Sequence, residues 1–369
     1  MNLQRSDPAE PGFGRRKHGK GFVYLGLDGR PLDDPSEKER IRSLVIPPAW
    51  KDVWICPDPD GHIQAIGTDA AGRRQYLYHE AWREQRDREK YKHVLELADR
   101  LPKVRDTLAE HLAGRGYGRD RVLAAAVRLI DLGFFRIGGE AYASENGTFG
   151  LATVLREHVT CRRNEVAFEY PAKGSKERYQ SVAEEDVCKV VSGLKRRRDD
   201  SPELLAHRTR DGWHDVTTTD INDFVREVTG GDFTAKDFRT WHATVLAAVG
   251  LAVSVRAGDS DTDAGDSDTD IDTNTGTDTG AARKGKGKGS ETARKRAVVR
   301  VVKEVASYLG NTPAVARASY IDPRIIDLYE EGRTIAPALG KLGVETAEGE
   351  LATQGPAERA VLDLLRAAD

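Results

Sequence analysis

Four short segments of this chain place cations, hydroxyls and tight turns where they could act on an anionic group. The first is Phe134-Phe135-Arg136-Ile137-Gly138-Gly139-Glu140, followed by Tyr142 and by Glu145-Asn146-Gly147-Thr148-Phe149-Gly150-Leu151. The second is a hairpin turn, Ala172-Lys173-Gly174-Ser175. The third is Lys236-Asp237-Phe238-Arg239-Thr240-Trp241, and the fourth is Leu309-Gly310-Asn311-Thr312-Pro313, with Tyr320 nine residues after Asn311. Guanidiniums stay protonated and hold oxyanions with directional, charge-assisted hydrogen bonds. Arg239 sits among Phe238, Trp241, Val245 and Leu246, so an embedded cation there needs a partner, and phosphate is a good one. Each fragment alone also has an ordinary structural reading. Arg136 can cap a carbonyl or pair with an acid, Lys173 can be a solvated hairpin tip beside Lys176, and a tyrosine at a helix end usually packs.

The elements that must position these residues change character along the chain. Phe22 to Leu25, Val53 to Cys56, His62 to Ile66 and Gln75 to Tyr78 read as strands; Pro57-Asp58-Pro59-Asp60-Gly61 serves as a hairpin turn. Ser36 is placed to cap a short helix whose first turn holds Glu37 and Glu39. From His79 the pattern becomes helical. Helices are expected at Trp82 to Leu101, Val104 to Ala113, Arg121 to Leu132, Glu184 to Leu194, Ile221 to Val228, Lys236 to Val253 and Ala293 to Leu309. Val159 to Cys161, Val166 to Tyr170 and Arg178 to Val182 read as a small antiparallel sheet. A short helix from Asn311-Thr312-Pro313 carries Tyr320, and the tail is helical near Ala357 to Arg366. The expected fold class is α+β: a flexible basic arm (1–20), a small β-rich N-terminal domain (21–82), a mainly helical domain with a small antiparallel sheet (83–335), and a C-terminal tail (336–369).

Composition limits the alternatives. The chain has 369 residues, 38 % hydrophobic and 32 % charged, enough for two modest domains. No apolar run approaches the ~20 residues that cross a bilayer, and the polar N-terminus has no apolar segment typical of a secretory signal. Cys56, Cys161 and Cys188 are isolated and show no ligand spacing, and no histidine pair has HxxxH or HExxH spacing. Gly285-Lys286-Gly287-Lys288 lacks the P-loop spacing, so neither metal nor nucleotide is expected. A reducing cytoplasm fits these features. The net charge is −3, but Asp259 to Asp278 holds eight aspartates and no Lys or Arg; without them the remainder is +5. That permits a phosphate-binding surface. The stretch 257–292, Asp/Thr/Ser/Gly and then Gly/Lys, is expected to be a disordered surface insert.

Taken together, in order and spacing, the four segments resemble the type IB DNA topoisomerases, above all the compact poxvirus-like and bacterial forms. In that family the nucleophilic tyrosine lies nine residues after a histidine in a Gly-His-Thr-Pro run; here the run is Gly310-Asn311-Thr312-Pro313 and Tyr320 falls in the tyrosine slot. The family's two arginines match Arg136 and Arg239, and its hairpin lysine matches Lys173. Arg74-Gln75-Tyr76-Leu77-Tyr78 is similar to the strand whose Gln and Tyr side chains face the DNA major groove. The likeness covers roughly 21–256 and 293–335.

The resemblance implies a clamp around double-stranded DNA and supercoil relaxation by a monomer. Tyr320 would attack a phosphodiester, Arg136 and Arg239 would hold the non-bridging oxygens of the pentacoordinate transition state, and Lys173 would protonate the departing 5′-oxygen. Gln75, Tyr76 and Tyr78 would contact bases, and Tyr142 a phosphate. Asn311 departs from the family: it can donate the hydrogen bond that the histidine donates, but without charge or titration, which implies a modest rate loss or a flatter pH profile. Two rivals remain. A tyrosine recombinase shares the catalytic residues, but usually has His where this chain has Lys236, and a helical N-terminal domain instead of a β-rich one. A non-catalytic DNA-binding protein has no need of all four segments.

Overall fold

The computed structural model describes residues 3–133, 135–162, 165–172, 176–263, 286–342 and 353–368. It is a mixed α+β structure that divides into two compact units, Met1–Lys92 and His93–Asp369.

The first unit is built on a five-stranded antiparallel sheet in the order β2-β1-β3-β4-β5, from β1 (Phe13–His18), β2 (Gly21–Leu25), β3 (Lys51–Ile55), β4 (Ile63–Thr68) and β5 (Arg74–Tyr78). The helix α1 (Pro35–Ser43) packs Ile41 onto a small core of Ile46, Val53, Ile55 and Ala65. Its cap is Asp34, not Ser36: the Asp34 carboxylate accepts from Ser36 N at 2.8 Å and also from the Ser36 hydroxyl. The basic stretch expected as a flexible arm contains β1. Arg15 explains why: its guanidinium donates to the carbonyls of Ile46, Pro47 and Trp50 and lies 4.1 Å from the Phe22 ring, so a residue that reads as surface charge acts as a structural clip.

The helix α2 (Glu80–Leu112) begins in the first unit and ends in the second. It is one helix where two were expected, because it runs through Pro102. An interior proline costs about 3 kcal/mol; the buried stripe of Leu97, Leu101, Val104 and Leu108 continues on both sides of it and offsets that cost.

The second unit is organised by two buried helices, α3 (Arg119–Gly133) and α7 (Ala235–Asp263). Between them in sequence lie α4 (Glu140–Asn146), the meander β6 (Val159–Arg162), β7 (Glu165–Ala172) and β8 (Lys176–Val182), then α5 (Glu185–Lys195), the hairpin β9 (Ala206–Thr209) and β10 (Gly212–Asp215), and α6 (Thr218–Thr229). The hairpin β9-β10 has no counterpart in the sequence reading; four-residue strands of mixed polarity leave little periodic signal. Residues 235–255 of α7 are long and apolar enough to cross a membrane by composition, but Phe238, Trp241, Val245 and Leu251 lie in the core.

After α7 come α8 (Lys286–Leu309), α9 (Pro313–Ser319), α10 (Pro323–Glu330), α11 (Ala336–Leu342) and α12 (Pro356–Arg366). α7 extends to Asp263 and α8 begins at Lys286, so the expected insert is shorter at both ends than read; its central part, 264–285, lies outside the described residues. α12 packs Ala357, Val361 and Leu365 into the core and adds Glu358 to a buried polar network. In that network Asp131, 1 % exposed, accepts from Arg105 (two bonds of 2.9 Å) and Arg128 (2.5 Å), with His242 Nε2 at 3.2 Å. Glu358 accepts from Arg105 at 2.6 and 3.0 Å and from Trp241 Nε1 at 2.9 Å. Thus α2, α3, α7 and α12 are tied together one turn from Arg239.

Candidate active site

Arg136 follows α3 in a segment whose backbone is fixed on both sides. Phe135 is fully buried, edge-on to Phe168 at 4.8 Å. The Arg136 and Ile137 carbonyls accept from Leu151 N and Ala152 N, both at 2.8 Å. The glycines make this possible. Gly138 has φ +89°, and a Cβ on Gly150 would stand 2.3 Å from Gly138 Cα and 2.8 Å from the Arg136 carbonyl. No side chain fits between these two passes of backbone.

The Gly310-Asn311-Thr312-Pro313 run is a helix-to-helix corner with each residue in its natural place. Gly310 ends α8 in the left-handed region (φ +64°), with Gly310 N donating to Ser307 O at 3.0 Å and Asn311 N to Ala306 O at 2.9 Å, a Schellman motif. Thr312 caps α9 by accepting from Val315 N, and Pro313 takes the first helical position. Tyr320 is the C-cap of α9; its backbone carbonyl accepts from the Thr244 hydroxyl at 3.3 Å. Nine residues therefore span one corner and one short helix, at whose C-terminal end Tyr320 stands.

Arg136, Arg239, Asn311 and Tyr320 converge. Arg136 Nη2 donates to the Gly310 carbonyl at 3.0 Å and to Asn311 Oδ1. Arg239, 4 % exposed on α7, donates from Nη2 to the Leu309 carbonyl at 2.9 Å. Its guanidinium carbon lies 5.5 Å from the centre of the Tyr320 ring, and it also hydrogen-bonds the Tyr320 hydroxyl. Burial, with Arg136 close by, pushes the Arg239 guanidinium down to about 10, against the pull of Tyr320. Asn311 Nδ2 is buried and has no hydrogen-bond partner. A cavity of about 320 Å³ opens here, lined by Arg136, Gly138, Thr148, Lys236, Arg239 and the half-buried Tyr320, among others. It has the size and charge for a phosphodiester, and Arg136 on its wall is bonded to Asn311, whose amide nitrogen is idle.

Other sequence candidates fall elsewhere. Lys173 lies outside the described residues; β7 and β8, which it connects, pair in register up to Ala172–Lys176. Tyr142 is in α4, with its side chain outside the described residues. In the first unit, Tyr76 and Tyr78 are each 41 % exposed and stack at 6.0 Å, with Arg74 5.9 Å from the Tyr76 ring. Strand alternation puts Gln75 on the opposite face, where its Nε2 donates to Asp69 Oδ2 at 2.9 Å. Gln75 and the two tyrosines therefore do not share one face of β5.

Sequence reasoning missed two residues close to Arg136 and Arg239. Tyr170 is 2 % exposed, and its hydroxyl feels Arg178, Arg239 and Arg136 together. Arg178 pairs with Tyr170 across β7-β8. Hairpin alternation could have placed both on one face, but nothing local marks that face as turned towards Gly310.

Cations and a tyrosine around one cavity define a class: an enzyme that handles an anionic ester. Residues 79–332 match the catalytic core described as eukaryotic DNA topoisomerase I, and residues 21–69 match the N-terminal domain of bacterial DNA topoisomerase IB. The chain belongs to the type IB DNA topoisomerase family. It is 27 % identical to DNA topoisomerase 1B of Acanthamoeba polyphaga mimivirus over 322 residues, covering 86 % of this chain and 88 % of that one. DNA topoisomerase 1B of Vaccinia virus (strain Copenhagen) is 18 % identical over 319 residues, 85 % of this chain and 89 % of that one. DNA topoisomerase 1 alpha of Arabidopsis thaliana is 27 % identical over 175 residues, 47 % of this chain but 18 % of that much longer protein.

Proposed function

We propose that the enzyme relaxes positive and negative supercoils through a covalent bond between Tyr320 and a DNA 3′-phosphate. The observation that carries this reading is that Arg136, Arg239 and Tyr320 line one cavity, with Asn311 hydrogen-bonded to Arg136. The Tyr320 hydroxyl loses its proton to water, its oxygen attacks phosphorus, a new O–P bond forms, and the P–O5′ bond breaks. Arg136 and Arg239 hold the non-bridging oxygens as charge builds on them, and Asn311 Nδ2 gives a further, neutral hydrogen bond. Lys173 donates the proton that the departing 5′-oxygen needs. The broken strand swivels about the intact one, and the 5′-hydroxyl then reverses the step. The phosphotyrosyl bond conserves the energy of the phosphodiester, so religation needs no ATP, and fixed guanidiniums supply the charge that a metal would otherwise bring.

One tyrosine cuts one strand, so a monomer suffices. The β-rich and helical units close on the duplex as a clamp, with Tyr76 and Tyr78 reading bases from one face of β5 and Tyr142 touching a phosphate. Binding depends mainly on phosphate contacts. The cellular setting is chromosomal DNA in the cytoplasm. Denaturant trapping on end-labelled duplexes tests the chemistry. Label on the strand 5′ of the cut is expected to stay with the protein, and Tyr320→Phe is expected to retain none. Retention of label from the 3′ side of the cut instead would reverse the assigned polarity.

A further inference from the structure

We propose that Arg178 is a third arginine of the phosphate pocket, supplying from behind Asn311 the positive charge that an asparagine at that corner lacks. The proposal rests on the mechanism above and adds a residue to it.

Arg178 is on β8, paired in register with Tyr170 on β7. Its Nη2 donates to Gln180 Oε1 at 2.8 Å and approaches the Gly133 carbonyl at 3.5 Å, and its guanidinium hydrogen-bonds the Tyr170 hydroxyl. These contacts aim the fork at the corner between α8 and α9. A Cβ built on Gly310 would lie 3.2 Å from Arg178 Nη1, so the guanidinium rests on the residue immediately before Asn311. Gly310 is thus constrained twice, by its left-handed backbone and by this contact.

The charges confirm the grouping. Burial, and then proximity to Arg136, disfavour the charged form of Arg178, although Tyr170 favours it. Arg239 feels both Arg136 and Arg178. Burial raises the Tyr170 phenol, against the combined pull of Arg178, Arg239 and Arg136. Three guanidiniums therefore act on the same small volume. Holding like charges together in a partly buried place is unfavourable until an anion arrives. A scissile phosphate, whose charge grows in the transition state, is that anion. The family's histidine at the Asn311 position can carry charge, whereas asparagine cannot; Arg178 brings a permanent cation to the same corner.

The test measures single-turnover cleavage on a duplex with one mapped cleavage site, carrying either a normal phosphodiester or a neutral methylphosphonate there. Arg178→Gln is expected to slow cleavage of the phosphodiester about 10–100-fold. On the neutral linkage, which carries one negative charge fewer in both ground and transition state, the same change is expected to cost less than about 3-fold. A purely structural role would give equal losses on both substrates, and equal losses, or no loss on the phosphodiester, would overturn the proposal. Should Arg178→Gln fail to fold, Arg178→Lys replaces it. Keeping the charge but losing the fork is expected to cost less than about 10-fold on the phosphodiester and nothing on the neutral linkage; an equal cost on both would again overturn the proposal. A wild-type protein that forms no adduct at Tyr320 would refute the underlying mechanism, whereas a cleaving wild type beside an unimpaired Arg178→Gln refutes this assignment alone.

Discussion

Arg136, on the wall of the cavity, donates to Asn311 Oδ1, while Asn311 Nδ2 is buried and unpartnered. The relationship assigns the two ends of the amide different tasks. The oxygen is spent on holding Arg136, and the nitrogen is kept for the substrate. Asn311→Asp keeps the shape but removes the donor and adds negative charge, so cleavage is expected to fall at least about 100-fold, as on losing an oxyanion donor. Asn311→His restores a titratable donor. Its rate is expected to gain a pH-dependent phase near ~6.5, the ordinary histidine range, that the wild type lacks. Rate–pH profiles of single-turnover cleavage check both, and a wild-type profile unchanged by Asn311→His would show that the position matters little.

Arg239 links the pocket to stability. Its folded value of about 10 lies below the usual 12.5, so carrying the charge at neutral pH costs folding free energy. That cost is relieved only as pH rises through about 10. An anion in the pocket relieves it at neutral pH by mass action. Inorganic phosphate, compared with chloride at equal ionic strength, is therefore expected to raise Tm by at least about 3 °C, about 1 kcal/mol for a domain of this size. In Arg239→Gln most of that increment disappears. Calorimetry on the two proteins measures it, and an equal phosphate effect in both would place the anion elsewhere.

The Asp131 network is a stability element. Burial alone would push the Asp131 carboxyl up; Arg105 and His242 outweigh it and hold the carboxyl well below the usual range. The stability it contributes is present above ~3.9, the ordinary unfolded value, and is lost as pH falls towards the folded one. Asp131→Asn leaves Arg105 and Arg128 facing a neutral group, with an expected cost of about 3–5 kcal/mol. Denaturant unfolding at pH 7 reads this loss, and a cost below about 1 kcal/mol would mean that the arginines re-pair.

α12 carries part of that network from outside the matched core, residues 79–332. Glu358→Ala removes the acceptor for both Arg105 and Trp241 Nε1. It is expected to destabilise by about 2–4 kcal/mol. Because Trp241 is two residues from Arg239 on α7, cleavage is also expected to slow, by a few-fold, while the salt dependence of DNA binding stays unchanged. Thermal unfolding and binding titrations separate the two effects.

Local chemistry was legible wherever one turn or one helix holds it. Gly310, Thr312 and Pro313 spell a helix stop, a cap and a helix start, and Gly138 and Gly150 mark a backbone crossing that excludes side chains. The α+β class and most helices of the second unit followed from periodicity. Contacts between distant segments were not legible. Arg178 meets Gly310, Asp131 meets Arg105 and His242, and Glu358 meets Trp241 through the fold alone. β1 was hidden because Arg15, Arg16 and Lys17 mask its alternation, and Arg15 is half-buried against the carbonyls it serves. The break expected in α2 failed because core packing outweighed one proline.

In the proposed mechanism Tyr320 breaks and rejoins one DNA strand without metal or nucleotide. Relaxation of negatively and of positively supercoiled plasmid, in EDTA and without ATP, by wild type and Tyr320→Phe side by side, tests this. Wild type is expected to relax both substrates to completion, and Tyr320→Phe, still binding DNA, to relax neither. Relaxation by Tyr320→Phe, or a wild type that binds plasmid but leaves its supercoils intact, would contradict it.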